Sequence, residues 1–321
     1  MNTKDIIAVA SRSFSCNESL VGHLKTLYSS IILNETGKTL AGDELIEFLM
    51  PATKAIIGVE EISGSVLSKL PNLKVISKYG VGLNNLDQEQ LKTRNIKLRF
   101  TAGINQQSVA EHAFTLILMS LKKIHENNAD ILNGNWSQKK GSELFGKTIG
   151  LLGFGNIGKT LTSLLQPFNC NILFFDEKEF SETEIKEIAE NSNIKPELIH
   201  QAELESVLSR SDVISIHLPL TDETKNIVSL RELNTLKSNC CIINTARGGI
   251  VKEDDLYIFL RDNPLTFAAF DVYLQEPAFD NPLLNLPNFF GTSHRSSLTN
   301  EGINAMGMAA ISGLDDNINI T

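Results

Sequence analysis

The sequence has few cysteines and no cluster of basic residues, and both shortages exclude classes of protein. Its 321 residues contain four cysteines without any Cys-x-x-Cys spacing: Cys16, Cys170, Cys240 and Cys241. We therefore expect no metal site and no disulfide framework, and a reducing, cytoplasmic location. Lysine and arginine number 29 against 38 acidic residues, a net charge of −9. Nucleic acid and anionic membrane surfaces are therefore not expected as partners.

Long hydrophobic runs are also missing. The first apolar run, residues 6–10, is shorter than the apolar region of a signal peptide and far below the roughly 20 residues of a membrane span. The length and the hydrophobic fraction of 42% are enough for two domains with ordinary cores. We therefore expect residues 6–10 to form a strand of a globular protein.

Short runs rich in valine, isoleucine and phenylalanine alternate with stretches of helical spacing, a pattern typical of βαβ units with parallel sheets. Strands are predicted at residues 6–10, 55–59, 73–77, 148–152, 172–175, 213–216, 240–244, 267–270 and 289–293. A long helix is predicted from Ser108 to about Leu132, with Ser108 as its N-cap and Glu111 three residues later. This helix is interpreted as a buried or dimer-forming surface. The polar residues 133–147 are predicted to be a linker.

A glycine-rich turn follows the strand predicted at 148–152. It reads Gly153-Phe154-Gly155-Asn156-Ile157-Gly158 and leads into a helical stretch, which is the context required of a dinucleotide-binding motif. Gly153 permits the tight turn, Gly155 lets the backbone approach a pyrophosphate, and Gly158 lets the helix pack on its strand. A glycine-rich turn can also serve packing alone. Here the next strand ends at Asp176, and the strand, the helix and the acid together favour a dinucleotide site. A carboxylate there accepts hydrogen bonds from a ribose 2′-OH and repels a 2′-phosphate, which predicts NAD rather than NADP.

Four later strands are followed by polar residues: His217, Arg247, Asp271 and His294. Each alone is typical of a structural side chain, but in a doubly wound sheet the carboxyl ends of the strands meet at one ligand crevice. Reducing a 2-oxo acid requires a hydride, a proton for the carbonyl oxygen and a cation for the carboxylate. We expect His294 to supply the proton with Glu276 favouring its charged form, and Arg247 to bind the carboxylate.

Several motifs in one order resemble the D-isomer-specific 2-hydroxyacid dehydrogenases, most of all their phosphoglycerate dehydrogenase branch. The resemblance covers nearly the whole chain. The motifs are YGVG at 79–82, NNLD at 84–87, SVAE at 108–111, ELFGKT at 143–148, GFGNIG at 153–158, HLPLT at 217–221, NTARGGIV at 244–251, DV at 271–272, QEP at 275–277 and LPN at 286–288 before His294.

The resemblance implies an NAD-dependent enzyme that acts on a small anionic 2-oxo or D-2-hydroxy acid, with Arg247, Glu276 and His294 as catalytic triad. It implies that the backbone N–H groups of Val81 and Gly82 hold the substrate carboxylate. Cofactor contacts are expected at Gly153, Gly155, Asn156, Ile157, Gly158, Asp176, His217, Pro219, Thr245, Ala246 and Asp271.

The family fold implies a Rossmann-type doubly wound parallel sheet plus a smaller flavodoxin-like α/β substrate domain that is discontinuous in sequence. We expect the substrate domain at residues 1–101 and 291–321 and the NAD-binding domain at 102–290, with the helix from Ser108 forming a homodimer interface. The short chain predicts that the carboxy-terminal regulatory domain of some relatives is absent.

The departures from the family pattern leave the substrate open. Lys78 stands where some relatives have a phosphate-binding arginine, and a lysine still neutralises phosphate as a point charge. The strand near residues 56–61 offers acids where some relatives have a second arginine, which puts 3-phosphoglycerate in doubt. Arg295, next to His294, either binds an anionic group of the substrate or faces solvent.

Two alternatives use the same fold. Some relatives are non-enzymatic, NAD-sensing corepressors, and related enzymes such as phosphite dehydrogenases act on another anion. Turnover of 2-oxo acids discriminates among these readings. The remaining histidines have no metal-ligand spacing and are interpreted as structural: His23, His112, His125 and His200.

Overall fold

A computed structural model describes residues 2–315, with side chains from residue 4 onward. The chain forms two compact units, the first from residues up to 105 together with the segment from 299, the second from residues 106–298. The assignment of a substrate domain and an NAD-binding domain to bounds at 101 and 290 stays a prediction. Residues 1 and 316–321 of those predicted domains lie outside the described residues.

The first unit is a five-stranded parallel sheet in the order β2-β1-β3-β4-β5. Its strands are β1 Asn2–Val9, β2 Tyr28–Leu33, β3 Lys54–Ile57, β4 Val75–Lys78 and β5 Lys97–Arg99. Its helices are α1 Arg12–Ser15, α2 Glu18–Leu27, α3 Gly42–Leu49, α4 Gly64–Leu67, α5 Gln88–Thr93 and, from the later segment, α13 Asn300–Ser312. This strand order is that of flavodoxin-like sheets.

The segment from residue 299 is fixed to the first unit by polar contacts as well as by apolar packing. The ammonium of Lys54 forms ion pairs with Asp5 and Asp315, and the Tyr28 hydroxyl donates to Asp315 at 2.6 Å. The Ser77 hydroxyl donates to the carbonyl of Ala310 at 2.7 Å. The first unit is therefore discontinuous in sequence, as the resemblance implies.

The second unit is a seven-stranded parallel sheet in the order β12-β11-β10-β9-β6-β7-β8. Its strands are β6 Thr148–Leu152, β7 Asn171–Phe175, β8 Ile199–Gln201, β9 Val213–Ile216, β10 Cys241–Asn244, β11 Phe267–Phe270 and β12 Phe289–Gly291. Its α-helices are α6 Gln106–Leu121, α7 Ile124–Leu132, α8 Asn156–Leu165, α9 Glu182–Asn191, α10 Leu204–Arg210, α11 Leu230–Leu233 and α12 Glu253–Asp262. The order reverses between β6 and β9, as in a Rossmann-type sheet, and the predicted fold class is confirmed.

The second sheet is buried on both faces, which explains why its strands read as nearly continuous apolar runs. Successive strand residues point to opposite faces. Ile149 and Leu151 pack in one apolar cluster, and Leu152 packs in the other. Two layers of helices therefore hold the strand ends, and the residues that follow them, at fixed positions.

Two details of the predicted long helix are wrong. The helix begins at Gln106, so Ser108 is buried in its first turn and is not its N-cap. The apolar periodicity starts only near Ala110 and cannot fix the preceding turn. The helix also ends at Leu121, because Lys123 has a left-handed backbone with φ of 53°, and a second helix then runs to Leu132. None of the helices within residues 2–315 combines the length and the apolar character needed to cross a bilayer.

Candidate active site

The glycine-rich turn connects β6 to α8 at the point where the strand order reverses. Gly153 has φ of +98°, and a Cβ there would lie 2.7 Å from the backbone of His217. A Cβ on Gly158 would lie 2.6 Å from the carbonyl oxygen of Gly153, whereas a Cβ on Gly155 would meet no atom within 4 Å. Gly153 and Gly158 are therefore required by packing, while Gly155 faces open space.

The amino terminus of α8 is arranged to receive an anion. Gly155 is its N-cap residue, and no side chain caps the helix. Asn156 and Ile157 form the first turn, where N–H groups have no intrahelical partner. A phosphate is the ligand that such a helix end binds best.

Asp176 lies directly after β7, next to the glycine-rich turn. Its carboxylate accepts hydrogen bonds from the N–H groups of Phe154 at 2.6 Å and of Lys178 at 3.0 Å. The Phe154 ring stacks on Phe174 with ring centroids 3.9 Å apart. The turn and the carboxylate therefore hold each other in position.

Two predicted cofactor residues carry buried polar atoms without a hydrogen-bond partner among the described residues. These atoms are Nδ1 of His217 and Oγ1 of Thr245. Nε2 of His217 lies 2.9 Å from Ser215 Oγ, and burial lowers the pKa of His217 to about 3, so the ring is neutral. Unpaired buried polar atoms are rare, and a bound ligand is one way to satisfy them. With the open space at Gly155, these orphaned atoms fit a dinucleotide.

The other residues predicted to contact the cofactor follow β9 and β10. Pro219 is exposed, and Ala246 is buried. Both are in the second unit, at the carboxyl ends of its strands, where the resemblance expects them.

Arg247 stands on a turn that Asn244 holds from the end of β10. The Asn244 side chain accepts from the N–H of Ala246 at 3.0 Å and donates to the carbonyl of Arg247 at 2.9 Å. A Cβ on Gly248 would lie 1.9 Å from the carbonyl carbon of Tyr273, so only glycine fits there. Burial lowers the pKa of Arg247, and the carboxylate of Glu276 opposes that shift. The guanidinium is charged in either case.

Glu276 and His294 form the hydrogen-bonded pair that the sequence predicts. His294 Nδ1 lies 2.7 Å from Glu276 Oε2, and the other carboxylate oxygen accepts from the N–H of Tyr273 at 3.0 Å. Burial favours a higher pKa for Glu276, but the hydrogen bonds from His294 and Tyr273 outweigh it, so the pKa lies below its ordinary value. Glu276 is therefore a carboxylate that orients the ring, with Nδ1–H as donor.

Asp271 holds the loop that carries His294. Its side chain is 0% exposed, and its carboxylate accepts from Thr292 Oγ1 at 2.5 Å, from the Arg295 N–H at 2.9 Å and from the Ser296 N–H at 2.8 Å. Its backbone carbonyl accepts from the His294 N–H at 2.8 Å. These bonds support His294 in a left-handed conformation, with φ of 51°. A direct contact of Asp271 with the cofactor stays a prediction.

Arg295 is exposed, whereas the neighbouring Ser296 is buried. Its backbone is fixed by Asp271, and its guanidinium is close enough to His112 to disfavour the charged form of that ring. Binding of a substrate anion by Arg295 stays a prediction.

The predicted substrate residues of the first unit follow β4. Lys78 is 6% exposed, and its ammonium donates to the carbonyl of Gly58 and to Asn85 Oδ1, the latter at 2.9 Å. These contacts favour a structural role, and phosphate binding by Lys78 stays a prediction. The N–H groups of Val81 and Gly82 follow Gly80, which has φ of +123°. Neither group donates a hydrogen bond to another residue within the described part of the chain.

Two residues near His294, His112 and Thr292, are not among the site residues that the sequence predicts. His112, interpreted as structural, lies on α6 with Nε2 3.2 Å from Thr292 Oγ1 and 3.7 Å from Asp271 Oδ1. The contact joins residues 180 positions apart, and no local pattern reports it. Thr292 lies just after β12 and belongs to none of the sequence motifs.

Comparison with known proteins identifies similar sequences. Residues 114–296 match a family model described as "D-isomer specific 2-hydroxyacid dehydrogenase, NAD binding domain". A D-3-phosphoglycerate dehydrogenase of Methanocaldococcus jannaschii is 34% identical over 86% of this chain and 52% of its own length. A hydroxypyruvate reductase of Thermotoga maritima is 31% identical over 87% of this chain and 89% of its own length. The chain thus spans about half the length of the Methanocaldococcus protein.

Solved structures have the same fold. The TT0316 protein from Thermus thermophilus matches with a TM-score of 0.83 and 26% identity, over 96% of this chain and 95% of that one. The similarity therefore extends across both units of the chain.

The hydrogen bonds of Glu276 predict a pH-dependent contribution to stability. A carboxylate whose pKa is lower in the folded state stabilises the fold above its unfolded pKa, and the contribution disappears as the pH falls through the folded pKa. We expect Glu276→Gln to lower the free energy of unfolding near neutral pH, with a difference from wild type that shrinks between about pH 6 and about pH 3. Chemical denaturation across this range measures it, with the exposed Glu179→Gln as control. A difference that is constant with pH would contradict this account of the pair.

Proposed function

The chain belongs to the D-isomer-specific 2-hydroxyacid dehydrogenase family, and on that premise we propose that it is an NAD-dependent oxidoreductase. It interconverts a small 2-oxo acid and its D-2-hydroxy acid. The observation that carries the proposal is the hydrogen bond between His294 Nδ1 and Glu276 Oε2, which are 2.7 Å apart. Arg247 is close enough to Glu276 for the carboxylate to favour the charged guanidinium. An acid, its orienting carboxylate and a carboxylate-binding cation are what carbonyl reduction requires.

NAD supplies the hydride acceptor and NADH the hydride donor when bound. The helix end at Gly155 and the orphaned atoms of His217 and Thr245 are suited to hold it. The Asp176 carboxylate is suited to the ribose hydroxyls and disfavours the 2′-phosphate of NADP.

His294 carries the proton of the reaction. Because Nδ1–H donates to Glu276, Nε2 is the nitrogen that gives a proton to the carbonyl oxygen in reduction and takes one from the hydroxyl in oxidation. Glu276 keeps the ring oriented by accepting the hydrogen bond from Nδ1–H. The planar guanidinium of Arg247 binds the substrate carboxylate at two points and polarises the carbonyl.

The substrate is proposed to be a small anionic acid. The two curated relatives are named for D-3-phosphoglycerate and for hydroxypyruvate, so the names include a phosphorylated and an unphosphorylated acid. The internal hydrogen bonds of Lys78 weaken the argument for a phosphate site at that residue.

Two further proposals concern the state of the protein. We propose a cytoplasmic location, supported by four free cysteines, of which Cys170, Cys240 and Cys241 are buried.

We also propose a homodimer, supported by exposed apolar residues on α7 and just after it: Ile124, Ile131, Leu132 and Trp136.

Replacing the proton donor tests the mechanism. Asn tolerates the left-handed backbone at position 294, so His294→Asn removes the imidazole with little strain. We expect kcat for reduction of a 2-oxo acid to fall by roughly 10²–10⁴ while the Kd of NADH changes little. The exposed His200→Asn, in the same unit, serves as control and should keep wild-type rates. A kcat near that of wild type in His294→Asn would refute this role.

Removing the charge at the ribose site tests the cofactor preference. Asp176→Asn keeps an oxygen for the Phe154 N–H but loses the negative charge. We expect kcat/KM with NADPH relative to NADH to rise roughly tenfold, because repulsion of the 2′-phosphate is removed. Steady-state kinetics with both cofactors measure the ratio, and an unchanged ratio would move the ribose contact elsewhere.

The proposed homodimer predicts a mass near twice 35.4 kDa in solution. Light scattering at micromolar protein concentration measures it. Leu132→Glu and Trp136→Glu, at exposed positions, should shift the mass toward the monomer by placing charge in an apolar interface. A wild-type monomer would remove the proposal.

A further inference from the structure

A hydrogen-bonded link connects helix α6 to the loop that carries His294. Nε2 of His112 lies 3.2 Å from Thr292 Oγ1, and Thr292 Oγ1 lies 2.5 Å from Asp271 Oδ1. The His112 side chain is 19% exposed and that of Asp271 is fully buried. The link therefore lies inside the second unit and joins three separate parts of its fold.

The direction of the hydrogen bonds follows from chemistry. A carboxylate only accepts, so the Thr292 hydroxyl donates to Asp271. The hydroxyl has a single hydrogen, so Nε2–H of His112 must donate to the Thr292 oxygen. Burial lowers the pKa of His112, Asp271 opposes this shift, and Arg295 adds to it. His112 is therefore neutral at pH 7, with its proton on Nε2.

We propose that His112 is a positioning residue for His294, acting through Thr292 and Asp271. The proposal rests on the proposed function, in which His294 is the acid. His112 holds the Thr292 hydroxyl in the one rotamer that directs its hydrogen at Asp271. The same carboxylate accepts hydrogen bonds from the N–H groups of Arg295 and Ser296, which follow His294 directly. The Thr292 hydroxyl and these two N–H groups therefore bind one acceptor.

The link affects the reaction through the orientation of the His294 ring. If the Thr292 hydroxyl turns away, the Asp271 carboxylate loses the shortest of its three hydrogen bonds and keeps only those from the N–H groups of Arg295 and Ser296. The bond from His294 to Glu276 then forms less completely. The acid is then less well oriented toward the substrate, so kcat falls while cofactor binding is unaffected.

Several charged or titratable groups lie around His294. They are Glu276 on the ring, Asp271 beneath the loop, Arg247 beside Glu276, Arg295 next in sequence and His112 across from Thr292. Variants that change only neutral groups isolate the link from these charges. His112→Leu, His112→Gln and Thr292→Val meet that condition at pH 7.

The experiment compares initial rates of NADH oxidation with a 2-oxo acid at pH 7 in wild type and in four variants: His112→Leu, His112→Gln, Thr292→Val and the double variant that combines His112→Leu with Thr292→Val. We expect His112→Leu and Thr292→Val each to lower kcat by about three- to tenfold, the loss expected for one hydrogen bond. KM for NADH should stay unchanged, because neither His112 nor Thr292 is among the proposed cofactor contacts. His112→Gln retains a donor near Nε2 and should restore most of the rate. The kcat of the double variant should be no lower than that of the slower single variant, because the two substitutions remove the same link.

Two results would overturn the proposal. One is a wild-type kcat in both His112→Leu and Thr292→Val, including the case in which His112→Leu only lowers the melting temperature. The other is simple addition of the two effects in the double variant. Thr292→Val keeps the test valid if His112→Leu does not fold.

A measurement without turnover separates this proposal from the proposed function. ¹⁵N NMR of histidine-labelled protein at pH 7 reports the tautomer of each ring. We expect His112 with its proton on Nε2, and Thr292→Val should shift that signal, while the Nδ1–H tautomer would overturn the link. If wild-type protein reduced no 2-oxo acid, the proposed function would fail while the NMR result still decided whether the link exists.

Discussion

The buried carboxylate of Asp271 is the contact on which the arrangement of the candidate site depends. Asp271 directly follows β11, and its carboxylate accepts from three donors of the loop after β12. Its backbone N–H donates to the carbonyl of Asn244 at the end of β10. Asn244 in turn holds the turn that carries Arg247. One buried polar network at the ends of two neighbouring strands therefore positions both the acid and the cation. The buried carboxylate is tolerated there because it accepts three hydrogen bonds.

The glycine-rich half of the site depends on close packing. At Gly153 and Gly158 the backbones approach too closely for any side chain, whereas Gly155 opens onto space at a helix end without a side-chain cap. The same glycine motif therefore contains two packing positions and one that leaves room for a ligand. Asp176 links this turn to β7. A second region with unpaired polar atoms, at His217 and Thr245, lies at the ends of neighbouring strands of the same sheet.

Much of this organisation could be predicted from the sequence, because its signals are local. The bounds of β6, β9 and β11 match the predicted apolar runs, and the glycine spacing fixes the strand–turn–helix unit. The sequence predicts Asp176, Glu276 and His294 as site residues because they follow strands or stand in motifs. The contact of His112 with Thr292 joins distant parts of the chain, and the helix break at Lys123 depends on a left-handed lysine that periodicity does not report. The three-residue strands β5 and β8 are too short to give an alternating pattern.

In the proposed function, NADH reduces 2-oxo acids to products of D configuration, with Arg247 binding the substrate and the Glu276–His294 pair supplying the proton. The most direct measurement combines NADH oxidation rates for 3-phosphohydroxypyruvate, hydroxypyruvate, glyoxylate and pyruvate with chiral chromatography of the product formed from pyruvate or its longer homologues. We expect turnover of at least one of these acids, with D product from every acid that yields a chiral one. An L product, or NADH binding without turnover of any 2-oxo acid, would contradict it.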